Sequence, residues 1–324
     1  MKNKNKKVII IPLSLLLLLS MFFAVSAVST SYTVSASRAF IQYGTMDYAE
    51  YNATLMGGTA EKILSSDVAT YIYSMASSAG YDYCKDYWGN RSRQTQPYTV
   101  YDEASICENT YDSTVVYYKG HSWEGRCPYY PTSCTLMHYG IYDCEGYNAS
   151  SLQIIKDFEI HNSIHNQGSG THDFVFLWTC GAGNPSVLGS NNGGVHSHGM
   201  CASWLDIQYP FNVDLSYDGY AYPDDGGRCF ISFFNISLWY TQNTNYGSWN
   251  YGHFIYYFFN SAFQPNTSIN QALDFASRAT HNGIAFGQSE LYCDEGYEIL
   301  DPRDGQPVWS CMMVYGDGSA HLIN

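Results

Sequence analysis

The chain is short of charge, and of positive charge above all. Asp, Glu, Lys and Arg make up 14% of its 324 residues, and 15 Lys and Arg stand against 29 Asp and Glu, a formal net charge of −14. Binding a phosphate backbone needs a basic footprint, so nucleic-acid recognition drops out as a function class. The disorder signature is missing too, because 45% of the residues are apolar and can bury a core. No long Pro- or Ser-rich linker and no repeat interrupts the chain, so nearly 300 residues read as one large domain. Beyond the N-terminus no apolar run spans a bilayer; 230–240 is too short and is broken by Asn235. A Gly-rich phosphate loop and a Ser nucleophile elbow are absent, and no Glu follows His161, which excludes the zinc-peptidase motif.

What is present points to export. Lys2, Lys4, Lys6 and Lys7 precede an apolar run over 8–25 and the small residues Val25, Ser26 and Ala27, the layout of a secretory signal peptide cut after Ala27. A second cut after Ala36 and an uncleaved anchor are the alternatives, and this segment is the only expected membrane contact. Removing the four lysines of residues 1–27 takes the formal charge from −14 to about −18. A secreted or cell-surface location makes disulfides available to Cys84, Cys107, Cys127, Cys134, Cys144, Cys180, Cys201, Cys229, Cys293 and Cys311. Sequons at Asn52, Asn90, Asn148, Asn235 and Asn266 fit a glycosylated exterior. The 31 Tyr supply surface and packing together, since the ring is apolar and the hydroxyl tolerates water.

Residues 28–97 read as an N-terminal segment with a helix over 67–79, packed on a main domain of 98–324. Within that domain 122–147 reads as a Cys-rich surface insertion and 184–228 as a long loop region with a short element near 200–207. Continuous apolar runs predict buried strands over 113–118, 172–179 and 229–238, with a closing strand at 308–315. Helical spacing marks 150–160, 251–263 and 268–279, the last opened by Ser268 and Gln271 at capping-box distance, and 101–112 leaves room for a short helical crossover. Buried strands alternating with helices predict an α/β sandwich on a mostly parallel sheet, with functional groups at the carboxyl ends of strands. Two such ends stand out, 117–121 and 177–181.

A thiol attacks a carbonyl as thiolate, so a Cys nucleophile needs an imidazole nearby and backbone N–H groups for the developing oxyanion. His121 follows one apolar strand at a Gly, and Cys180 follows another at Gly181-Ala182-Gly183. At these residues the chain resembles the caspase-like cysteine peptidases, the group of caspases, legumain, clostripain, gingipains and CHAT-domain proteins. Residues 115–122, Val-Val-Tyr-Tyr-Lys-Gly-His-Ser, look like the gingipain-type strand ending in Gly-His, and 174–183 looks like the strand ending in Cys. Paired helices over 254–263 and 268–273, and a terminal strand and turn over 314–322, resemble the gingipain and CHAT branch. The resemblance runs from about residue 98 to the C-terminus. It implies a caspase-like three-layer α/β sandwich acting without cofactor as an endopeptidase on protein or peptide substrates. It also implies Cys180 as nucleophile, His121 as proton donor to the leaving amine, and the N–H groups of Cys180 and of Gly120 or Ser122 as the oxyanion hole. Glu124 and Asp112 are the candidate acids for orienting His121. Two positions depart from the family pattern: Ser122 stands where Gly is usual, and Gly318 where the terminal turn has Pro.

The rival expectation is a catalytically inactive cell-envelope or adhesive protein of the same fold with all ten Cys bridged. Parity separates the two, since a free Cys180 leaves nine Cys and requires a second odd residue, for which Cys201 is the candidate. His161 and His165 are spaced for one helical face, with His172, His196 and His198 following, but a metal site there competes with ordinary polar His. Asp214, Asp218, Asp224 and Asp225 offer oxygen ligands for Ca²⁺ without a loop pattern of defined spacing. Ser197-His198-Gly199 copies a caspase tripeptide but has no strand before it and reads as loop.

Overall fold

Residues whose side chains alternate between two buried faces build the sheet at the centre of the molecule. A computed structural model describes residues 38–44, 58–86, 105–107, 109–126, 137–143, 153–165, 172–183, 199–205, 228–292, 297–300 and 307–323. Its strands are β1 (Arg38–Gly44), β2 (Tyr83–Asp86), β3 (Ser113–Lys119), β4 (Ser122–Arg126), β5 (Met137–Asp143), β6 (Gln153–Lys156), β7 (His172–Trp178), β8 (Cys229–Asn235), β9 (Tyr297–Leu300) and β10 (Pro307–Gly316). Seven of them form one sheet in the order β2-β1-β3-β7-β8-β10-β9. The block from β2 to β8 is parallel throughout, and β10 closes it antiparallel to both β8 and β9.

The helices are α1 (Gly58–Ser78), α2 (Asp157–His165), α3 (Met200–Trp204), α4 (Tyr251–Ala262) and α5 (Ile269–Thr280). Strand alternation sorts them into layers. Phe40, Val115, Tyr117, Phe174, Phe176, Trp178 and Ile231 share a core with residues of α1, α4 and α5. Their strand neighbours Val116, Tyr118, Val175, Leu177 and Phe230 share the opposite core with residues of α2 and α3. The molecule is therefore an α/β structure with a mixed, mostly parallel sheet covered on both faces, in keeping with a three-layer sandwich. Aromatic rings fill the first core, with Phe176 5.4 Å from Phe258 and Trp178 4.7 Å from Phe233, both edge-on. Each such contact adds about 1 kcal/mol to the gain from burial. Much of the Tyr abundance is packing: Tyr118, Tyr240, Tyr251 and Tyr315 are all buried.

The expected strands and the helices at 251–263 and 268–279 are found, and Ser268 and Gln271 form a reciprocal capping box. From the segment expected to pack on the main domain, β1 lies between β2 and β3 in the main sheet and α1 packs over it. Three expectations need correction. The helix expected over 150–160 begins at Asp157, and Gln153–Lys156 before it is a strand. The insertion at 122–147 is more than surface. Its strands β4 and β5 join β6 in a three-stranded antiparallel sheet, and Tyr139 and Ile141 are buried in the second core. Strand β8 stops at Asn235, whose φ of 65° turns the chain out of the sheet. Asp157, buried with His138 at 2.6 Å, ties the small sheet to α2 and accepts the N–H groups of Tyr139 and Gly199.

The signal segment, Cys127, Cys134 and Cys144 of the insertion, Asp214, Asp218, Asp224 and Asp225, and His196 and His198 lie outside the described residues. Among the described residues no helix is long and apolar enough to cross a membrane.

Candidate active site

The register of two neighbouring parallel strands sets the geometry. Lys119 on β3 lies opposite Trp178 on β7, and the Gly120 N–H extends that ladder by donating to the Trp178 carbonyl at 3.3 Å. His121 and Cys180 each lie two residues beyond that pair, past Gly120 and Thr179, so both follow the carboxyl ends of the same two neighbouring strands. The imidazole-bearing residue turns directly into β4, and the Tyr118 hydroxyl holds its carbonyl at 2.9 Å.

The turn after Cys180 depends on its glycines. Gly181 has φ +67°, a conformation that costs a Cβ-bearing residue. Gly183 sits so close to β8 that a Cβ would meet the Ser232 carbonyl oxygen at 2.9 Å. The N–H groups of Gly181 and Gly183 donate to the carbonyls of Asn235 and Phe233, which stitches the turn to the end of β8.

Cys180 is a half-buried free thiol. Its sulfur accepts the Ser237 backbone N–H at 3.3 Å, and the Ser237 hydroxyl lies at 3.4 Å. Ser237 belongs to the segment 236–241 that follows β8 and folds over the strand ends. That segment is held along its length: the Ser310 hydroxyl donates to the Ile236 carbonyl at 2.6 Å, and the Trp178 indole to the Leu238 carbonyl at 2.7 Å. The Glu61 carboxylate, from the first turn of α1, accepts the N–H groups of Tyr240 and Thr241 and the Thr241 hydroxyl. Lys119 completes this carboxylate's shell at 2.6 Å, with its ammonium 4.3 Å from the centre of the Tyr240 ring.

Of the residues expected at the site, Cys180, His121, Gly120 and Ser122 gather at one sheet edge. The Gly120 N–H, expected as an oxyanion donor, is spent on the Trp178 carbonyl in the ladder. Asp112 precedes β3 and stands at its opposite end, on the order of 25 Å of extended chain from His121, so it cannot orient that ring. Glu124 is exposed on β4 and pairs with Tyr139 in register, sharing a face with it. The Tyr139 ring is the neighbour that a Cβ on Gly181 would touch, so this face of the small sheet borders the Cys180 turn.

Cys84 is a second free thiol, half-buried on β2, and burial pushes it up to about 11. Cys311 is disulfide-bonded. Arrangements with all ten Cys bridged do not fit. Cys201, expected as the odd residue, carries no disulfide and is buried in the second core. His161 lies on α2 with His165 at the end of that helix, and among the described residues no three His, Cys, Asp or Glu side chains gather as metal ligands.

Sequence reasoning misses Ser237, Glu61 and Lys119. The one available signal is that Ser237 completes the Asn235-Ile236-Ser237 sequon just past a buried strand, and it reads there as a glycosylation mark. No family model, no curated protein and no solved structure matches the chain.

Proposed function

We propose that the chain is an exported cysteine endopeptidase of caspase-like fold, nearest the gingipain and CHAT branch, that cleaves protein substrates with Cys180 and His121. The observation that carries the reading is the β3–β7 register, which brings a His and a free Cys from distant sequence positions to neighbouring strand ends. The Cys180 sulfur attacks the scissile carbonyl, forming a C–S bond, and His121 protonates the amine as the C–N bond breaks. Water then hydrolyses the acyl-enzyme and restores the thiol. The oxyanion falls to the N–H groups of Cys180 and Ser122, and Glu124 is the remaining acid for His121. The thiol state of Cys84 and Cys180 weighs against the inactive, fully bridged alternative.

The test is cleavage of a peptide library by the purified mature chain. Cys180→Ala and His121→Ala should each abolish cleavage while leaving the cooperative unfolding transition in place. Cleavage that persists in Cys180→Ala removes the site assignment.

A further inference from the structure

We infer that Ser237 is a positioning residue for the Cys180 sulfur, holding its negative charge with two donors from one residue. The inference rests on the peptidase reading for its purpose, but its geometry stands on its own. The Ser237 N–H already points at the sulfur from 3.3 Å, and the hydroxyl oxygen lies 3.4 Å from it. Between a thiol and a hydroxyl either group can donate. Once the sulfur loses its proton it has nothing to give, and the hydroxyl becomes the donor. Both donors then face an anion, where hydrogen bonds are about twice as strong as between neutral groups.

The placement comes from outside the strand that carries the nucleophile. Cys180 lies two residues past β7, whereas Ser237 is 57 residues further on, just after β8. Asn235 takes φ 65° and its carbonyl accepts the Gly181 N–H, so the chain end that bears Ser237 and the turn that bears Cys180 are bonded to each other at the bend. Ile236 and Leu238, the residues on either side of Ser237, are each fixed through their carbonyls by Ser310 and Trp178. A side chain so framed has little room to leave the sulfur. Donors preorganised at the place where charge develops cost no rearrangement when it appears.

The experiment follows the rate at which iodoacetamide labels Cys180 in the folded full-length protein, mapped by peptide mass, at pH 7 and pH 10. Ser237→Ala should slow labelling about tenfold at pH 7, the loss of one charge-assisted donor, and less than twofold at pH 10, where solvent holds thiols ionised without help. Ser237→Thr, which keeps the hydroxyl, should label within threefold of the parent at both. Peptide cleavage measured alongside separates the two readings: labelling that behaves as expected without any cleavage keeps the role of Ser237 and discards the peptidase. An unchanged pH 7 rate in Ser237→Ala, an equal loss at both pH values, failure of Thr to restore the rate, or a Cys180 that takes no label overturns the inference.

Discussion

Glu61 and Lys119 meet at 2.6 Å with 4% and 14% of their side chains exposed, and the same carboxylate receives two backbone N–H groups from the far side of the sheet edge. One buried carboxylate thus joins α1, the end of β3 and the segment after β8. Removing one member of such a pair strands the others, which costs more than the pair itself contributes. Glu61→Ala should lower stability by about 3 kcal/mol, the lower end for a buried pair whose Lys is partly wetted. Urea unfolding followed by circular dichroism reads this as a lower midpoint at unchanged slope. A midpoint within experimental error of the parent would show that the carboxylate is not holding these elements together.

The two thiols should behave differently. Desolvation pushes the Cys84 thiol from 9.0 up to about 11, leaving on the order of one thiolate in 10⁴ at pH 7 against one in 100 without the shift. Iodoacetamide should therefore modify Cys84 about a hundredfold more slowly than a free small-molecule thiol at pH 7. Cys180 should carry label first, and Cys84→Ser should leave its labelling rate alone. Equal rates at the two positions in native protein would contradict the burial of Cys84.

A second buried cluster predicts an acid limb to stability. Desolvation by itself would raise the Glu290 carboxyl. The hydrogen bond and charge of His281 at 3.0 Å outweigh it, aided by the Asn245 N–H and the Tyr251 hydroxyl, and hold the group below its ordinary 4.5. A carboxyl depressed in the folded state contributes stability that is complete above its unfolded value and is lost as pH falls through the folded one. Unfolding free energy should hold above about pH 5 and decline below about 4.5. Glu290→Gln should be less stable at pH 7 and show a shallower decline in acid. An identical acid slope in parent and variant, measured by denaturant titration across that range, would remove Glu290 from the effect.

The placement of His121 and Cys180 after neighbouring strands was legible because each follows a run that is apolar on both faces, and such runs in a parallel sheet need no periodicity to be recognised. Helix α5 was legible from Ser268 and Gln271, whose capping chemistry is local. What escaped was short or distant. The four residues of β6 run straight into α2, so Ile155 on the strand and Phe158 on the helix blend into one helical pattern. Arg38 and Gln42 make β1 look too polar for an inner strand, yet Arg38 is 4% exposed, its guanidinium bonded to the Leu322 carbonyl. Glu61 resembles any acidic residue in a helix's first turn, and its partners at Tyr240 and Thr241 are 179 and 180 positions away. Nothing local marks an interaction of that range. Asp112 shows the converse: closeness in sequence suggested a partner for His121, and the length of an extended strand separates them.

The Leu322 carbonyl takes hydrogen bonds from both Arg38 and Tyr81, residues 284 and 241 positions earlier. An inner strand of the sheet, second from its edge, is thus tied to nearly the last described residue of the chain. Closing so long a loop costs entropy before any contact repays it, and topologies dominated by such pairings assemble slowly and late. The central sheet therefore cannot complete its native arrangement before residue 322 has been made. Helix α1, whose carboxylate fixes the segment beside Cys180, must wait for partners made nearly 200 residues later. The surroundings of Cys180 are thus a late product of folding, and a chain made only as far as its thiol lacks the framework that holds Ser237 beside it.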